Sequence, residues 1–147
     1  LDRVCETDFE LQRQYFIKQI ELANEVRKPL IIHCVRAFDD VLHLLKQHQV
    51  SVPVIFHGFN KNEKVAAQIL NAGYLLSFGQ KLMFESTASV FRSTPIDRLF
   101  LETDDGCVAI EEVYRIAAEI KGISIEQMLE QIQKNTNLVF GENTFLK

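Results

Sequence analysis

The sequence predicts an α/β protein built from parallel βα repeats, and three observations carry that reading. Four short apolar bursts, PLIIH, PVIFH, YLLSF and RLFLETD, recur every 21–26 residues along the 147-residue chain. Each is followed by a stretch of helical periodicity, and a strand–helix unit of about two dozen residues is what parallel pairing requires. Three of the bursts end in a polar residue with chemistry to offer: His33, His57 and Asp104. In parallel α/β folds the C-terminal edge of the strands is where ligands and reactions sit. Two imidazoles and a carboxylate at that edge point to a divalent metal and hydrolysis.

The elements follow in order. Residues 8–27 predict a long helix with Phe9, Phe16, Ile20 and Ala23 on one face and Tyr15 and Leu22 widening it. Thr7 and Glu10 have capping-box spacing at its start. Pro29 introduces a strand, Leu30 to His33, and a helix over 37–49 follows, carrying Val41, Leu44, Leu45 and Gln49. Pro53 introduces the strand Val54 to His57. The next helix spans 62–71, with Asn60 and Glu63 as a cap and Gly73 as a stop. Tyr74 to Phe78 is the third strand, and a short helix over 85–92 ends before Pro95. Arg98 to Glu102 is the fourth strand. Helices over 109–121 and 125–135 are separated by Gly122, and Ser124 with Gln127 has capping-box spacing. Residues 136–147 form a helical or irregular tail.

Four strands are half of the eight that close a barrel of about 250 residues. An open four-stranded parallel sheet leaves two edges exposed. The expectation is therefore the C-terminal half of a (β/α)8 barrel, completed by something else. The chain opens with Leu1 and not Met, which fits a start partway through a gene product.

Composition narrows the function classes. Hydrophobic residues make up 47% and charged residues 24%, an ordinary globular balance that can bury a core. No run approaches the roughly 18 apolar residues of a membrane span. Cys5, Cys34 and Cys107 are scattered and odd in number, which fits free thiols in a reducing, cytoplasmic setting. The net charge is −4 and no basic stripe exists, which excludes strong non-specific duplex binding. The chain has no phosphate-binding glycine loop, dinucleotide fingerprint or Cys-x-x-Cys zinc motif.

The runs LDRVCETDFELQRQYFIKQIELANEVRKPLIIHC, VIFHGF and RLFLETD, with the closing KNTNLVFG, resemble the TatD family of metal-dependent hydrolases across essentially the whole chain. The resemblance implies a TIM-like barrel with a divalent metal centre at its C-terminal mouth. It implies hydrolysis of phosphodiester bonds, typically trimming of DNA from an end. It assigns the metal ligands of strands five, six and eight to His33, His57 and Asp104. Leu1-Asp2 looks like the end of the family's GEIGLD motif, which implies that the glutamate ligand and the first half of the barrel precede residue 1. Two departures stand out. The family's His-x-Arg-x-Ala is His33-Cys34-Val35-Arg36-Ala37 here, with the arginine displaced by one position. After the aspartate, Asp105-Gly106-Cys107 replaces the usual Ala-Pro and longer loop.

Each candidate has a plain reading beside the functional one. His33 and His57 are ligands by their shared strand-end position, and satisfied core or loop histidines otherwise. Asp104 binds metal and accepts a proton from attacking water, or it caps the helix that follows. Glu102 points the same way as Asp104, as a residue orienting a ligand or as a buried structural carboxylate. Arg36, Asn60 and Lys61 lie just beyond the histidines, as phosphate contacts or as solvated loop residues. His43 and His48 read as surface residues, and Phe56, Phe59 and Phe78 as core. Nothing marks Cys34 or Cys107 as a nucleophile.

The expected cofactor is one or two divalent ions, Mg, Mn or Zn, and the expected partner is DNA or another phosphodiester, with no membrane. The missing half-barrel or a second copy of the chain is the other expected partner. Two alternatives stay open: a non-catalytic half-barrel module that oligomerises, and an amide or lactone hydrolase on a related metal-dependent barrel.

Overall fold

The computed structural model describes residues 1–104 and 106–141. Ten regular elements alternate as expected: α1 (Phe9–Val26), β1 (Leu30–Ile32), α2 (Phe38–Gln47), β2 (Val54–Phe56), α3 (Glu63–Asn71), β3 (Leu75–Phe78), α4 (Glu85–Ser93), β4 (Leu99–Leu101), α5 (Ile110–Lys121) and α6 (Ile125–Phe140). All strand pairs are parallel and the order is β1-β2-β3-β4. Sequential order with a helix between each pair is the βα repeat that the strand spacing implied.

The helix ends show local chemistry at work. The cap of α1 is Asp8, one residue beyond the expected Thr7, because the Asp8 side chain accepts the Leu11 N–H at 2.9 Å. Asn62 caps α3 by accepting from Val65, in place of the expected Asn60. The Ser124–Gln127 capping box at α6 is formed in both directions. Gly122 ends α5 in the left-handed region (φ 66°), where a glycine costs nothing sterically.

Two differences from expectation concern extent. Helix α6 runs to Phe140, past the expected end at 135, because Asn135 turns inward and becomes part of the packing. Its amide donates to Ile96 O at 2.9 Å and Leu99 O at 2.8 Å, satisfying carbonyls at the entry to β4. A 3₁₀ turn over Gln80–Met83, which carries no clear apolar period, follows β3. Among the expected tail residues, 142–147 lie outside the described residues.

Alternation along the strands separates two faces. Ile32, Val54, Phe56, Leu76, Phe78 and Leu99 point into the main core, where Val41, Leu44, Leu45, Ile69 and Phe91 of the helices meet them. Phe56, Phe59 and Phe78 are core residues, as expected. The opposite face carries Ile31, Ile55, Leu75, Ser77 and Phe100. There a second cluster joins Ile55, Leu75 and Phe100 to Val139 and Phe140. Ile31, on the edge strand, is 62% exposed on that same face. His33, His57 and Glu102 continue the alternation of the second face, so the site residues stand on the side away from the main helix layer.

One segment extends the sheet. The Leu1 nitrogen donates to His33 O at 2.8 Å, Val35 N–H to Leu1 O at 2.9 Å, and Arg3 N–H to Val35 O at 3.0 Å. This is a parallel ladder centred on an Asp2–Val35 bridge. Residues 1–3 therefore lie beside the continuation of β1 and bring Asp2 to the same end of the sheet as His33.

Candidate metal centre

His33 and His57 leave adjacent parallel strands, β1 and β2, one residue past their ends. Parallel register pairs Ile32 with Phe56, so the two imidazoles emerge side by side. Nδ1 of His33 lies 3.2 Å from Nε2 of His57.

The far nitrogen of each ring faces a carboxylate. His33 Nε2 is 3.2 Å from Asp2 Oδ2. His57 Nδ1 is 3.5 Å from Glu102 Oε1 and 4.0 Å from Asp104 Oδ2. A carboxylate attracts the N–H of the nitrogen it faces and so sets the tautomer. The tautomer pair with protons on His33 Nε2 and His57 Nδ1 leaves the facing nitrogens, His33 Nδ1 and His57 Nε2, each with a lone pair; where one facing nitrogen carries the proton instead, that ring donates a hydrogen bond to the other.

In the former tautomer pair, two lone pairs at this distance suit a cation between them. Two donor nitrogens about 2.1 Å from one ion are about 3.0 Å apart at a right angle and about 3.4 Å apart at a tetrahedral angle. The observed 3.2 Å falls inside that interval. The donors therefore fit a divalent ion, with His33 Nδ1 and His57 Nε2 as the nitrogen ligands.

Glu102 is fixed from two sides. Its Oε1 accepts the Gly58 N–H at 2.7 Å, and its Oε2 accepts the hydroxyl of Ser77, a buried residue of β3. Gly58 has φ 60°, a left-handed turn that aims its N–H at the carboxylate. Gly79 leaves room for the same residue, since a Cβ there would stand 3.1 Å from Glu102 O. Both Glu102 oxygens are thus engaged beside His57 Nδ1.

Asp104 is the open member. It follows β4 in a turn with φ 48°, and its side chain is 57% exposed. It does not cap the helix that follows: α5 begins at Ile110 after Ala109, with no side-chain cap. His57, Glu102 and Asp104 each bring a ligand-capable atom to within 4.8 Å of the others. That group contains Glu102 in place of the expected His33, and His33 joins His57, Glu102 and Asp104 in lining the same cavity.

Asp2 is the residue that sequence reasoning missed. It belongs to a segment too short to register as a strand, and only its parallel ladder with Val35 reveals its place. Its carboxyl is held below the usual range, first by the Val4 N–H at 2.7 Å and against a cost of desolvation, with further help from His33 and the Cys5 N–H.

The imidazoles open into a cavity of about 310 Å³. Asn60, Lys61, Gln80 and Lys81 line it with the cluster. Arg36 is exposed and is not part of the lining, whereas Gln80 and Lys81, in the unexpected 3₁₀ turn, are. Cys34 also lines the cavity, but burial pushes its thiol up to about 11, so it is protonated at neutral pH and is no nucleophile. Of the Asp105-Gly106-Cys107 loop, Asp105 lies outside the described residues. Gly106 packs so closely under Thr103 that a Cβ would stand 2.7 Å from Thr103 O.

The sequence pattern of the TatD related DNase family matches residues 1–141. The chain belongs to that family. YcfH of Escherichia coli, named as an uncharacterized metal-dependent hydrolase, is 27% identical over 146 residues, covering 88% of this chain and 55% of that protein. Human deoxyribonuclease TATDN3 is 29% identical over 143 residues, covering 89% of this chain and 52% of its own. The crystal structure of YJJV, a TatD homolog from Escherichia coli, superposes with a TM-score of 0.88 at 24% identity. That alignment covers 95% of this chain and 61% of YJJV, and it shows the fold. The TatD chain described here thus spans about half the length of the curated relatives it matches. No helix among the described residues is long and apolar enough to cross a membrane.

Proposed function

We propose that this chain carries the strand-end ligands of a divalent-metal phosphodiesterase, a TatD-type deoxyribonuclease that trims DNA from an end. The observation that carries the proposal is the pair of histidine ring nitrogens 3.2 Å apart, each ring with its own carboxylate beside its far nitrogen. The names of the relatives, a metal-dependent hydrolase and a deoxyribonuclease, support the same reading.

His33 Nδ1, His57 Nε2 and Asp104 hold the ion in this proposal, and Glu102 and Asp2 orient the two imidazoles. A bound divalent ion supplies a lowered pKa for water and a polarised phosphate. In this reading Asp104, 57% exposed, takes the proton that the attacking water loses. Lys61, Lys81 and Asn60, which line the cavity, hold phosphate oxygens, the two lysines as point charges. With few cationic groups, binding depends on the strand end entering the cavity and not on a long electrostatic track.

The fold part of the proposal is that the four strands are the C-terminal half of a (β/α)8 barrel, with the remaining ligands supplied from the other half. The 147-residue chain then binds metal weakly and turns over slowly. The experiment is hydrolysis of an end-labelled oligodeoxynucleotide by a chain supplied with Mg, Mn or Zn, with small esters and amides as competing substrate classes. Metal-dependent cleavage lost in His57→Ala is expected, more slowly in the 147-residue chain than in a longer one. Selective hydrolysis of an amide or lactone would replace phosphodiester chemistry as the reading.

A further inference from the structure

We propose that Gln12, on the first helix, is a positioning residue for the metal centre, acting through Asp2 on His33. The inference rests on His33 being a metal ligand.

The residue 1–3 segment pairs with the continuation of β1 through Leu1 and Arg3. In a parallel ladder, alternate residues turn their backbone groups to opposite sides. The N–H and C=O of Asp2 therefore point away from β1, at the outer edge of the sheet. Both are taken by one side chain. Gln12 Oε1 accepts the Asp2 N–H at 2.8 Å, and Gln12 Nε2 donates to Asp2 O at 2.9 Å. The primary amide stands in for the peptide group of a neighbouring strand. Its Nε2 also donates to Thr7 O at 2.9 Å and to Cys5 Sγ at 3.2 Å, tying down the turn that leads into α1.

The consequence for the site is direct. Gln12 fixes the backbone of Asp2 at both ends of the residue, and the Val4 and Cys5 N–H groups fix its Oδ1. The Oδ2 atom is left to face His33 Nε2. His33 is 58% exposed, so packing does little to hold its ring. The ring orientation depends on Asp2, and that of Asp2 depends on Gln12. Only glutamine combines the reach with one acceptor and two donors on a planar end. Leu11 and Gln14, on neighbouring positions of the same helix, are exposed and make no comparable contact with this segment.

The test uses the metal-free 147-residue chain, with ¹⁵N chemical shifts of the imidazole nitrogens at a pH where both rings are neutral. The wild type is expected to hold His33 as the Nε2–H form. Gln12→Leu is expected to give His33 a mixture of tautomers while His57, held by Glu102, keeps its shifts. Gln12→Glu, which keeps the acceptor and the helix but loses the donors, serves if Gln12→Leu does not fold, and it is expected to shift His33 in the same direction. In a parallel titration with Zn²⁺, Gln12→Leu and Asp2→Asn are each expected to weaken binding about tenfold, within the range that outer hydrogen-bond partners exert on metal sites. Unchanged His33 shifts in both Gln12 variants would overturn the inference. So would equal disturbance of His33 and His57, which would mark general loosening. If the tautomer changes but wild-type chain takes up no Zn²⁺, the positioning relay stands and the metal reading fails.

Discussion

His33 and His57 are 24 residues apart in sequence, and their facing nitrogens are 3.2 Å apart in space. Two adjacent parallel strands in register produce that approach, and Asp2 and Glu102 stand beside the far nitrogens of the rings. With protons on His33 Nε2 and His57 Nδ1, the arrangement suits a bound cation.

Ser77 supports Glu102 from within the sheet. Its hydroxyl is buried and donates to Glu102 Oε2. Ser77→Ala removes that donor from a largely buried carboxylate. A loss of about 1–3 kcal/mol in urea denaturation is expected. Metal affinity is expected to drop about tenfold with it, because His57 loses a rigid partner.

Gly106 sets the height of the loop that carries Asp104. A Cβ at 106 would meet Thr103 O at 2.7 Å and Gln80 Cδ at 2.9 Å. The carbonyl belongs to the backbone and cannot swing away. Gly106→Ala is expected to displace Asp104, with destabilisation of about 1–3 kcal/mol. Zn²⁺ titration is expected to show weaker binding with the histidine ¹⁵N shifts of the metal-free chain unchanged.

Asn135 holds the base of the sheet, far from the chemistry. It is 3% exposed, donates to two carbonyls and accepts from Gln131 Nε2 at 2.9 Å. Asn135→Ala orphans the Ile96 and Leu99 carbonyls inside the protein. A cost of about 2–4 kcal/mol in chemical denaturation is expected, among the larger single-residue effects here.

Glu112 provides a pH-dependent test on helix α5. Arg115 binds it through two hydrogen bonds, at 2.6 and 2.8 Å, and these hold its carboxyl below the ordinary value of 4.5, against a smaller desolvation cost. A depressed folded-state pKa means that the pair stabilises the fold fully above the unfolded value. That contribution fades as pH falls through the folded value. Carbon-detected titration is expected to place Glu112 below 4.5, and Arg115→Met to return it toward 4.5.

Much of this was legible in the sequence for identifiable reasons. Pro29 and Pro53 before apolar bursts, and Gly73 and Gly122 after helical periods, mark the repeat because each acts through local backbone sterics. His33, His57 and Asp104 could be named because strand ends are readable. Glu102 could be flagged by the two-residue period, but its role depended on the Ser77 and Gly58 donors, which no spacing reveals. Asp2 and Gln12 were not legible as site residues, since their link to His33 runs through a two-residue bridge and a side-chain amide. Lys81 sits in a 3₁₀ turn without an apolar period, so its place on the cavity wall emerged only in three dimensions.

The most direct test is anomalous scattering from a crystal of the chain soaked with Zn²⁺. A peak about 2.0–2.1 Å from both His33 Nδ1 and His57 Nε2 is expected, with Asp104 turned toward it. A peak on His33 Nε2 or His57 Nδ1 instead, or none at the strand ends, would contradict that expectation.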